Sequence, residues 1–424
     1  MTVVTRRGLL TAAAPLFIPA GVFGRFAPSN RVTVGMIGVG RQCVQVNLKQ
    51  FLAMPDVRVV AVCDVDAWRL ERAREQVDQA YGKPGCKAVR DFREVLADQS
   101  IDAVMISTPD HWHVPMSIAA VEAGKDVSCE KPLTRTIAEG RVLADVVAKH
   151  RRVFRTDSEF RSITTFHAAV EWVRNGRIGE LKTIRSGVPK GDVGCPPQPD
   201  MPVPTELDYE RWQGPAPHAP YTEARVHKPK AYERPGWMRR LEYCDGMITN
   251  WGAHLNDIAQ WGNNTDRSGP IQVEATGEYP AGDSFWNVLL GFEAEYRYSN
   301  GVRLIYKIDR PYVRFEGTEG WIEASYEGVT AGPARVVDYK NPTRWVRLPF
   351  KTDKQDFIDA VKSRGQTLED AEVGHRTTSL CHLAHIAIQV GGRLEWDPVK
   401  ERFTNNEAAN QYLRKPIHAP RHTS

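Results

Sequence analysis

The stretch that decides the fold is Arg31-Val-Thr-Val-Gly-Met-Ile37 followed by Gly38-Val-Gly-Arg-Gln-Cys43, an apolar strand pattern that runs into a glycine-rich turn. A second apolar pattern, at residues 57–63, ends at Asp64, which lies 26 residues after Gly38. Strand, turn, helix, strand and acidic residue in this order are typical of a βαβ dinucleotide-binding unit. The pattern therefore predicts a nucleotide site, and the alternative is an ordinary strand-to-helix turn with an incidental aspartate.

Individual residues of this unit have distinct physical roles in nucleotide binding. Gly38 permits the tight turn, and Gly40 lets the backbone approach a pyrophosphate at the helix N-terminus. Asp64 can accept hydrogen bonds from an adenosine ribose diol. Because its carboxylate would repel a 2′-phosphate, the sequence favours NAD over NADP. Cys43 occupies the place of the usual third glycine and predicts less close packing of helix against strand.

The size and composition of the chain exclude several classes of protein. A chain of 424 residues, 42% hydrophobic and 25% charged, is typical of a globular protein with two domains. A net charge of +4 without a dense Lys/Arg tract argues against a nucleic-acid partner. No apolar run is long enough for a structural transmembrane helix. We predict domains at 29–157 and 158–415, and a tail at 416–424.

The N-terminal segment resembles a targeting signal rather than part of the fold. Thr5-Arg-Arg-Gly-Leu-Leu10 precedes a short, mildly apolar stretch at residues 11–20. This pattern predicts a twin-arginine export signal over 1–28 and a periplasmic protein. The alternative is a disordered basic start.

The cysteines and histidines do not predict a disulfide framework or a metal site. Seven cysteines include no Cys-x-x-Cys pair, and an odd number argues against complete pairing. Cys43, Cys63 and Cys129 are interpreted as small buried residues at or beside strand ends. The pairs His111/His113 and His382/His385 lack convincing carboxylate or thiolate partners for a metal.

The first half of the chain alternates apolar strand patterns with helical patterns. Strands are predicted at 31–37, 57–63, 102–107, 126–129 and 152–156, with helices at 66–81, 91–97, 111–123 and 137–149. This alternation predicts an α/β fold with a doubly wound parallel sheet. Because ligands bind beyond the carboxyl ends of such strands, Asp64, Thr108–His113 and Glu130-Lys131-Pro132 are expected to face one crevice.

The second half of the chain has different sequence patterns from the first half. A Pro-rich stretch at 189–235 is the length of a lid, a binding loop or a subunit-contact arm. Alternating patterns near 181–188, 271–279, 286–297, 302–308 and 312–316 predict a largely antiparallel sheet. Helices are predicted at 163–175, 251–261, 354–363 and 368–390.

Three residues are candidates for catalysis: Lys131, Asn250 and His254. Lys131 ends a strand in the crevice, where burial would lower its pKa and let it orient a substrate hydroxyl or ketone. Asn250 is a candidate N-cap, and His254 lies four residues later on the same helix face. A histidine with a pKa near neutrality could take the hydroxyl proton. The alternatives are a surface lysine and a structurally satisfied histidine.

Further residues near the crevice are assigned to ligand contact. His111-Trp112-His113 is interpreted as a cofactor or substrate contact, against a packing role at the helix start. The predicted cofactor contacts are Gly38, Gly40, Arg41, Gln42, Asp64, Thr108, Pro109, His111, His113, Glu130 and Lys131. The predicted substrate contacts are Trp112, Trp251 and Asp257.

These motifs resemble the glucose–fructose oxidoreductase/inositol dehydrogenase/MocA family over residues 30–415. The similarity lies in Gly38-Val-Gly40, Thr108-Pro109 with His113, Ala123-Gly124-Lys125, Glu130-Lys131-Pro132, Gly246 through His254-Leu-Asn-Asp257, and Trp261. The resemblance implies a Rossmann domain and a second domain whose open sheet binds substrate and often forms a homo-oligomer interface. It also implies NAD(P)-linked chemistry on sugars and polyols, with Lys131 and His254 as the catalytic pair. Asn250 stands where inositol dehydrogenase-like members have Asp, which restricts it to holding a substrate hydroxyl.

Three functional hypotheses follow. The first is an exported oxidoreductase that acts on a secondary hydroxyl or ketone of a sugar, polyol or glycoside and recycles a tightly bound NAD. The second is an NAD-dependent glycosidase or lyase that works through a transient keto-sugar; the glycine-rich histidine motif of the N-acetylgalactosaminidase branch is absent. The third is a sugar-binding protein without catalysis.

Overall fold

The computed structural model describes residues 30–337 and 345–414. The predicted export signal at 1–28 and the tail at 416–424 lie outside the described residues. The described chain forms two β-sheets, one of six strands and one of nine. The predicted domain boundaries stay predictions. A helix from the second half of the sequence packs on the first sheet, as described below.

The first sheet is parallel and has the strand order β3-β2-β1-β4-β5-β6. Its strands are β1 Val32–Ile37, β2 Val57–Cys63, β3 Lys87–Val89, β4 Ala103–Ile106, β5 Asp126–Glu130 and β6 Phe154–Asp157. Sequence reasoning missed β3, because this three-residue edge strand is largely exposed and lacks an apolar pattern. The order reverses between β1 and β4, which is the switch point where doubly wound sheets bind ligands. This topology confirms the predicted fold class.

Helices cover both faces of this sheet. They are α1 Leu48–Leu52, α2 Ala67–Tyr81, α3 Phe92–Ala97, α4 His113–Glu122 and α5 Ile137–His150. Asp66 caps α2 by accepting from the backbone N–H groups of Trp68 and Arg69, and Thr136 and Glu139 form a capping box on α5. These caps explain why the predicted starts of both helices were accurate to one residue.

The second sheet is mostly antiparallel, with the order β13-β12-β11-β7-β10-β9-β8-β14-β15 and one parallel pair, β7 with β10. Its strands are β7 Leu181–Val188, β8 Gln272–Glu278, β9 Gly291–Arg297, β10 Arg303–Ile308, β11 Tyr312–Gly317, β12 Trp321–Ser325, β13 Gly328–Gly332, β14 Leu394–Asp397 and β15 Arg402–Phe403. The last four were not predicted, because they are short and form two hairpins, one at each edge of the sheet. Helices α6 Thr164–Arg174, α9 Gly252–Asn263 and α11 Ala371–Val390 pack on one face of this sheet.

Helix α10, Asp353–Ser363, joins the two halves of the molecule. Its Phe357 and Ile358 belong to the apolar core of the first sheet. Beside them the fully buried Arg155 contacts Asp353 at 2.8 Å and Asp356 at 2.6 Å. The second half of the sequence therefore completes the core of the first, as no local pattern could indicate.

The segment between β7 and the short helix α8, Met247–Asn250, forms an arm (residues 189–246) across the first sheet's carboxyl edge. It contains the helix α7 Tyr209–Gln213 and a small aromatic core of its own. Backbone hydrogen bonds tie it down: Ala67 donates to Glu206 at 2.9 Å, and Asp208 donates to Val65 at 3.0 Å. A helix α12, Glu407–Gln411, ends the described chain. No helix within residues 30–337 and 345–414 has the length and apolarity to span a membrane.

Candidate active site

A cleft of about 810 Å³ lies at the carboxyl ends of the first sheet, between the strands and the arm. A cleft of this size suits a small-molecule ligand. Eleven of the predicted site residues line it: Gly38, Gly40, Arg41, Gln42, Asp64, Thr108, Pro109, Trp112, Glu130, Lys131 and Asn250. The structure thus brings residues more than 200 positions apart in sequence to one surface. Their individual roles stay predictions.

The two glycines of the turn serve different purposes. Gly38 has φ +79°, and a Cβ there would lie 2.8 Å from backbone atoms of Ser107 and Thr108, so the fold itself requires glycine. A Cβ on Gly40 would meet no described atom within 4 Å, which leaves open space where the turn borders the cleft. Thr108 Oγ1 is buried there without a hydrogen-bond partner among the described residues. An open cradle and an unused hydroxyl fit a bound dinucleotide.

The predicted ribose-binding residue, Asp64, is already engaged by the backbone. Its Oδ2 accepts from the N–H of Val39 at 2.8 Å, and its Oδ1 accepts from the N–H of Asp66 at 2.9 Å. Burial raises the pKa of this carboxyl above its usual value. Asp64 therefore holds the glycine-rich turn in place. Its bond to a ribose stays a prediction.

Cys43 starts a π-helical turn, Cys43–Asn47, directly after the glycines. The thiol is fully buried, and this burial raises its pKa. A cysteine is thus accommodated at the third glycine position as an apolar residue, and the helix begins with a wider turn. All seven cysteines are free.

The substrate end of the cleft is formed by Lys131 and Asn250. Lys131 follows β5 directly, and its peptide bond to Pro132 is cis. The preceding Glu130 accepts from Asn47 Nδ2 at 2.8 Å. Asn250 is the last residue of α8 and does not cap α9, whose first turn has no side-chain cap. The N-cap prediction was therefore wrong. Asn250 lines the cleft and does not cap the helix.

His254 is close enough to Lys131 for the lysine charge to act on its ring, but it is not among the residues that line the cleft. Its Nδ1 donates to the carbonyl of Ser158, and its ring stacks on Phe160 with a centroid distance of 4.5 Å. Because a carbonyl oxygen only accepts, the neutral ring has its proton on Nδ1 and its acceptor on Nε2. Burial and the charge of Lys131 lower the pKa of His254 to about 3, against our expectation of a value near neutrality.

Four of the predicted contacts do not line the cleft. His113 is fully buried, and its Nδ1 and Nε2 lie 2.8 and 3.0 Å from the carbonyl oxygens of Pro132 and Thr108, so the ring braces the loop behind Lys131. Asp257 forms a buried ion pair with Arg161 at 2.6 Å.

His111 and Trp251 are the other two. The arm covers His111, whose Nε2 lies 3.1 Å from the carbonyl oxygen of Trp212. Trp251 packs edge-on against His254, at 6.1 Å between ring centroids. These aromatic rings pack against protein groups, which the residue pattern alone could not distinguish from ligand contact.

Trp112 lines the cleft, but it also anchors the arm. Its Nε1 donates to the carbonyl of Trp212 at 3.0 Å. Gly214 lies so close that a Cβ there would be 1.9 Å from Trp112 Cζ2. The arm in turn contributes cleft residues that sequence reasoning missed, including Trp212 and Met238, and it places Trp237, which the sequence suggested as a residue that could stack on a sugar ring, in the cleft lining. Their only sequence signal was aromatic residues within an unusually long loop.

Within residues 30–337 and 345–414, no group of three or more His, Cys, Asp or Glu side chains is arranged to hold a metal ion.

The fold and the glycine-rich cleft define a nucleotide-dependent α/β protein, and two family models match it. The model described as oxidoreductase family, NAD-binding Rossmann fold, matches residues 32–158. The model described as oxidoreductase family, C-terminal alpha/beta domain, matches residues 192–423. The chain belongs to this Gfo/Idh/MocA oxidoreductase family and carries its NAD-binding domain. The resemblance inferred from the sequence and the predicted cofactor are confirmed.

Curated relatives match only part of the chain. A glycosyl hydrolase family 109 protein of Stenotrophomonas maltophilia is 33% identical over 174 residues, 38% of this chain and 37% of the relative. An alpha-N-acetylgalactosaminidase of Shewanella oneidensis is 34% identical over 164 residues, 38% of this chain and 36% of the relative. The chain thus spans a little over a third of the length of these relatives.

Solved structures share the fold over most of the chain. A putative myo-inositol dehydrogenase from Sinorhizobium meliloti has a TM-score of 0.57 at 19% identity, covering 86% of this chain and 99% of that one. An aldose-aldose oxidoreductase from Caulobacter crescentus, complexed with glycerol, has a TM-score of 0.64 at 18% identity with the same coverage. A levoglucosan dehydrogenase in complex with NADH and L-sorbose has a TM-score of 0.62 at 19% identity, with coverage of 86% and 99%.

Proposed function

We propose that this protein oxidises a secondary hydroxyl, or reduces the corresponding ketone, of a sugar, polyol or glycoside. The observation that carries the proposal is the placement of Lys131 and Asn250 in the same cleft as the Gly38–Gly40 turn. Structural neighbours named as acting on inositol, aldoses or levoglucosan support this substrate class.

The residues at the substrate end of the cleft have different roles in this proposal. When bound, NAD supplies the hydride acceptor. The Lys131 ammonium holds the substrate oxygen and stabilises negative charge on it. Asn250 binds a further hydroxyl without contributing charge. His254 presents Nε2 as a hydrogen-bond acceptor, since its Nδ1 proton is engaged by Ser158.

The same proposal includes a cofactor that stays bound between turnovers. The arm closes over the cleft and is fastened by the Trp112 and Ala67 hydrogen bonds. A ligand beneath such a segment leaves only when the segment opens. A retained cofactor must be regenerated in place, so the net reaction is redox-neutral: one sugar is oxidised as another is reduced.

The test begins with protein purified without added cofactor. Denaturation should release about one NAD(H) per chain. The native protein is then mixed with D-glucose, myo-inositol and methyl β-D-glucopyranoside, and nicotinamide fluorescence is followed together with mass detection of ketones. Lys131→Met should lower the rate of nicotinamide reduction at least about 100-fold, whereas Lys182→Met, on an exposed strand position, should not change it. Protein that is isolated empty, or a Lys131→Met variant as fast as wild type, would refute the proposal.

A second candidate function, an NAD-dependent glycosidase or lyase, is favoured by the family 109 relatives. Oxidation of one ring carbon acidifies the neighbouring C–H bond, and elimination then expels the aglycone. The two candidates differ in their products. Release of 4-nitrophenol from 4-nitrophenyl glycosides without accumulation of NADH would favour the glycosidase, and ketone formation with the glycosidic bond intact would favour the oxidoreductase.

We also propose that the protein is exported in folded form through the twin-arginine pathway with its cofactor bound. The support is the Arg6-Arg7 pair before a mild apolar stretch. Export of the full chain should stop when both arginines are replaced by lysine, as measured by fractionation of periplasm and cytoplasm. Unchanged periplasmic protein would contradict this proposal.

Finally, we propose a homo-oligomer formed through the open face of the nine-stranded sheet. This face carries partly exposed pairs such as Arg303–Glu295 at 2.6 Å and Arg314–Glu316 at 2.8 Å, with Ile305 between charged neighbours. Light scattering should report more than one chain per particle, and Ile305→Glu should shift the particle toward one chain. A wild-type monomer would contradict this assembly.

A further inference from the structure

One carboxylate beside His254 takes part in none of the interactions described so far. Glu159 follows β6 and has φ +67°. Residues other than glycine and asparagine rarely adopt this left-handed backbone conformation. Those that are held in it cluster at functional sites. The conformation places a charged residue where the chain would more easily accommodate a small one.

The residues on both sides of Glu159 in the sequence contact His254. The residue before it, Ser158, accepts the Nδ1 proton of His254, and the residue after it, Phe160, stacks on the His254 ring. Glu159 Oε1 is buried and has no hydrogen-bond partner among the described residues. A buried carboxylate oxygen without a partner is unfavourable in the free protein, which points to a ligand as the missing partner.

Titratable groups from three elements lie near this carboxylate. They are Glu130 and Lys131 at the end of β5, Asp353 and Lys354 on α10, and Tyr326 in the turn between β12 and β13. Burial, and then the negative charges of Glu130 and Asp353, raise the pKa of Glu159 to about 7, while Lys354 and Lys131 oppose the rise.

We propose that Glu159 is the residue that exchanges the hydroxyl proton with the substrate, and that His254 orients the substrate by hydrogen bonding. This inference rests on the proposed function. In the forward direction the substrate O–H bond breaks and its proton joins the Glu159 carboxylate. The electron pair stays on the substrate oxygen, where the Lys131 ammonium stabilises it. In the reverse direction the Glu159 carboxyl returns the proton.

The comparison with His254 explains why a second group is needed. Proton transfer is most efficient when the pKa of the catalytic group lies near the working pH. His254 is held neutral, with a pKa of about 3, so it retains an added proton poorly at neutral pH. Glu159 titrates in the range where both of its forms are populated.

The first test needs no substrate. Infrared difference spectra of the holoprotein between pH 5.5 and 8.5 should contain the carbonyl stretch of a protonated carboxyl group that titrates near pH 7. This band should be absent from Glu159→Gln and present in Glu319→Gln, an exposed hairpin position. The buried acid Glu369, whose pKa burial raises to about 8, contributes in both variants and cancels in the comparison. An identical set of bands in wild type and Glu159→Gln would overturn the proposal.

The second test uses the rate of nicotinamide reduction with the three carbohydrates named above. For wild type, kcat/KM should rise with pH through about 7. Glu159→Gln should lower it at least about 100-fold and remove this pH dependence. Glu159→Asp should restore part of the rate, and His254→Gln should keep the pH dependence at a reduced rate. A Glu159→Gln variant that retains the rise, or a His254→Gln variant that loses it, would overturn the assignment.

These outcomes distinguish a failure of the proposed function from a failure of the role assigned to Glu159. If none of the three carbohydrates reduces the nicotinamide, the proposed function fails, while the infrared band still decides whether Glu159 titrates near neutrality. If reduction proceeds at the wild-type rate in folded Glu159→Gln, the proposed function stands and only the role of Glu159 is refuted. Circular dichroism of each variant identifies any loss that is due to misfolding.

Discussion

The two ends of the cleft are built in different ways. The cofactor end comes from a contiguous motif and from strand ends of one sheet, with Gly38, Gly40 and Asp64 held by backbone hydrogen bonds within the first sheet and its helices. The substrate end combines Lys131, which follows β5, with Asn250 at the end of α8, and Lys131 also acts electrostatically on Glu159 and His254. The arm covers both ends. The first end is a property of local sequence, whereas the second exists only when distant parts of the chain are packed together.

The largest effect is expected where the arm's end is fastened to the first domain. Asp245 forms a buried ion pair with Arg135 at 2.5 Å. Asp245→Asn leaves the Arg135 guanidinium buried without its counter-charge, so the free energy of unfolding should fall by about 3–5 kcal/mol in urea titrations at pH 7. Asp283→Asn, at an exposed position, is the matched control. A loss below about 1 kcal/mol would show that the two ends are held together by other contacts.

The same pair gives the wild-type protein a defined acid sensitivity. Burial alone would raise the pKa of Asp245, but the Arg135 charge overcomes it and lowers this pKa to about 2. Because the folded-state pKa lies below the unfolded one, the stabilisation is complete above about pH 4 and is lost as the pH falls toward 2. The stability difference between wild type and Asp245→Asn should shrink over this range.

At the cofactor end of the cleft, a matched pair of substitutions distinguishes an effect on folding from an effect on cofactor binding. Gly38→Ala places a Cβ against the backbone at positive φ and should lower the free energy of unfolding by about 3 kcal/mol. The new methyl group in Gly40→Ala meets no described atom within 4 Å, so stability should be unchanged or higher by about 0.5 kcal/mol. Only the NAD content and affinity of Gly40→Ala should fall. Equal NAD content in Gly40→Ala and wild type would mean that the pyrophosphate does not approach this turn.

This contrast also marks what the sequence could predict. The glycine turn, Asp64 and Lys131 were identified because a strand end and a turn are local, and their chemistry follows from residue type and spacing. Glu159 was missed because its left-handed backbone, and the burial of its Oε1 without a hydrogen-bond partner among the described residues, arise from packing. His254 was found, but its low pKa depends on burial and on Lys131, which lies 123 positions earlier in the sequence.

The arm offers a test of cofactor retention with a smaller expected effect. In Gly214→Ala the new methyl group would overlap the Trp112 ring, so the arm must lift or the ring must turn. Unfolding free energy should fall by about 2–3 kcal/mol, and NAD should dissociate faster on dilution. Gly282→Ala shares the positive φ but meets no described atom within 4 Å, and it serves as the control. If Gly214→Ala retains NAD as wild type does, the arm does not limit release.

The smallest effect tests the substrate end through stability alone. The folded-state pKa of Glu159, about 7, lies above its unfolded value, so the folded protein binds an extra proton and loses stability as the pH rises from about 4.5 to 7. Glu159→Gln has no such proton to lose. Its stability relative to wild type should therefore increase by about 1–2 kcal/mol between pH 5 and pH 8, with Glu319→Gln showing no trend. A flat difference would mean that the Glu159 carboxylate is as well solvated in the folded protein as in the unfolded chain, and the substrate end would then lack the perturbed acid that distinguishes it from the cofactor end.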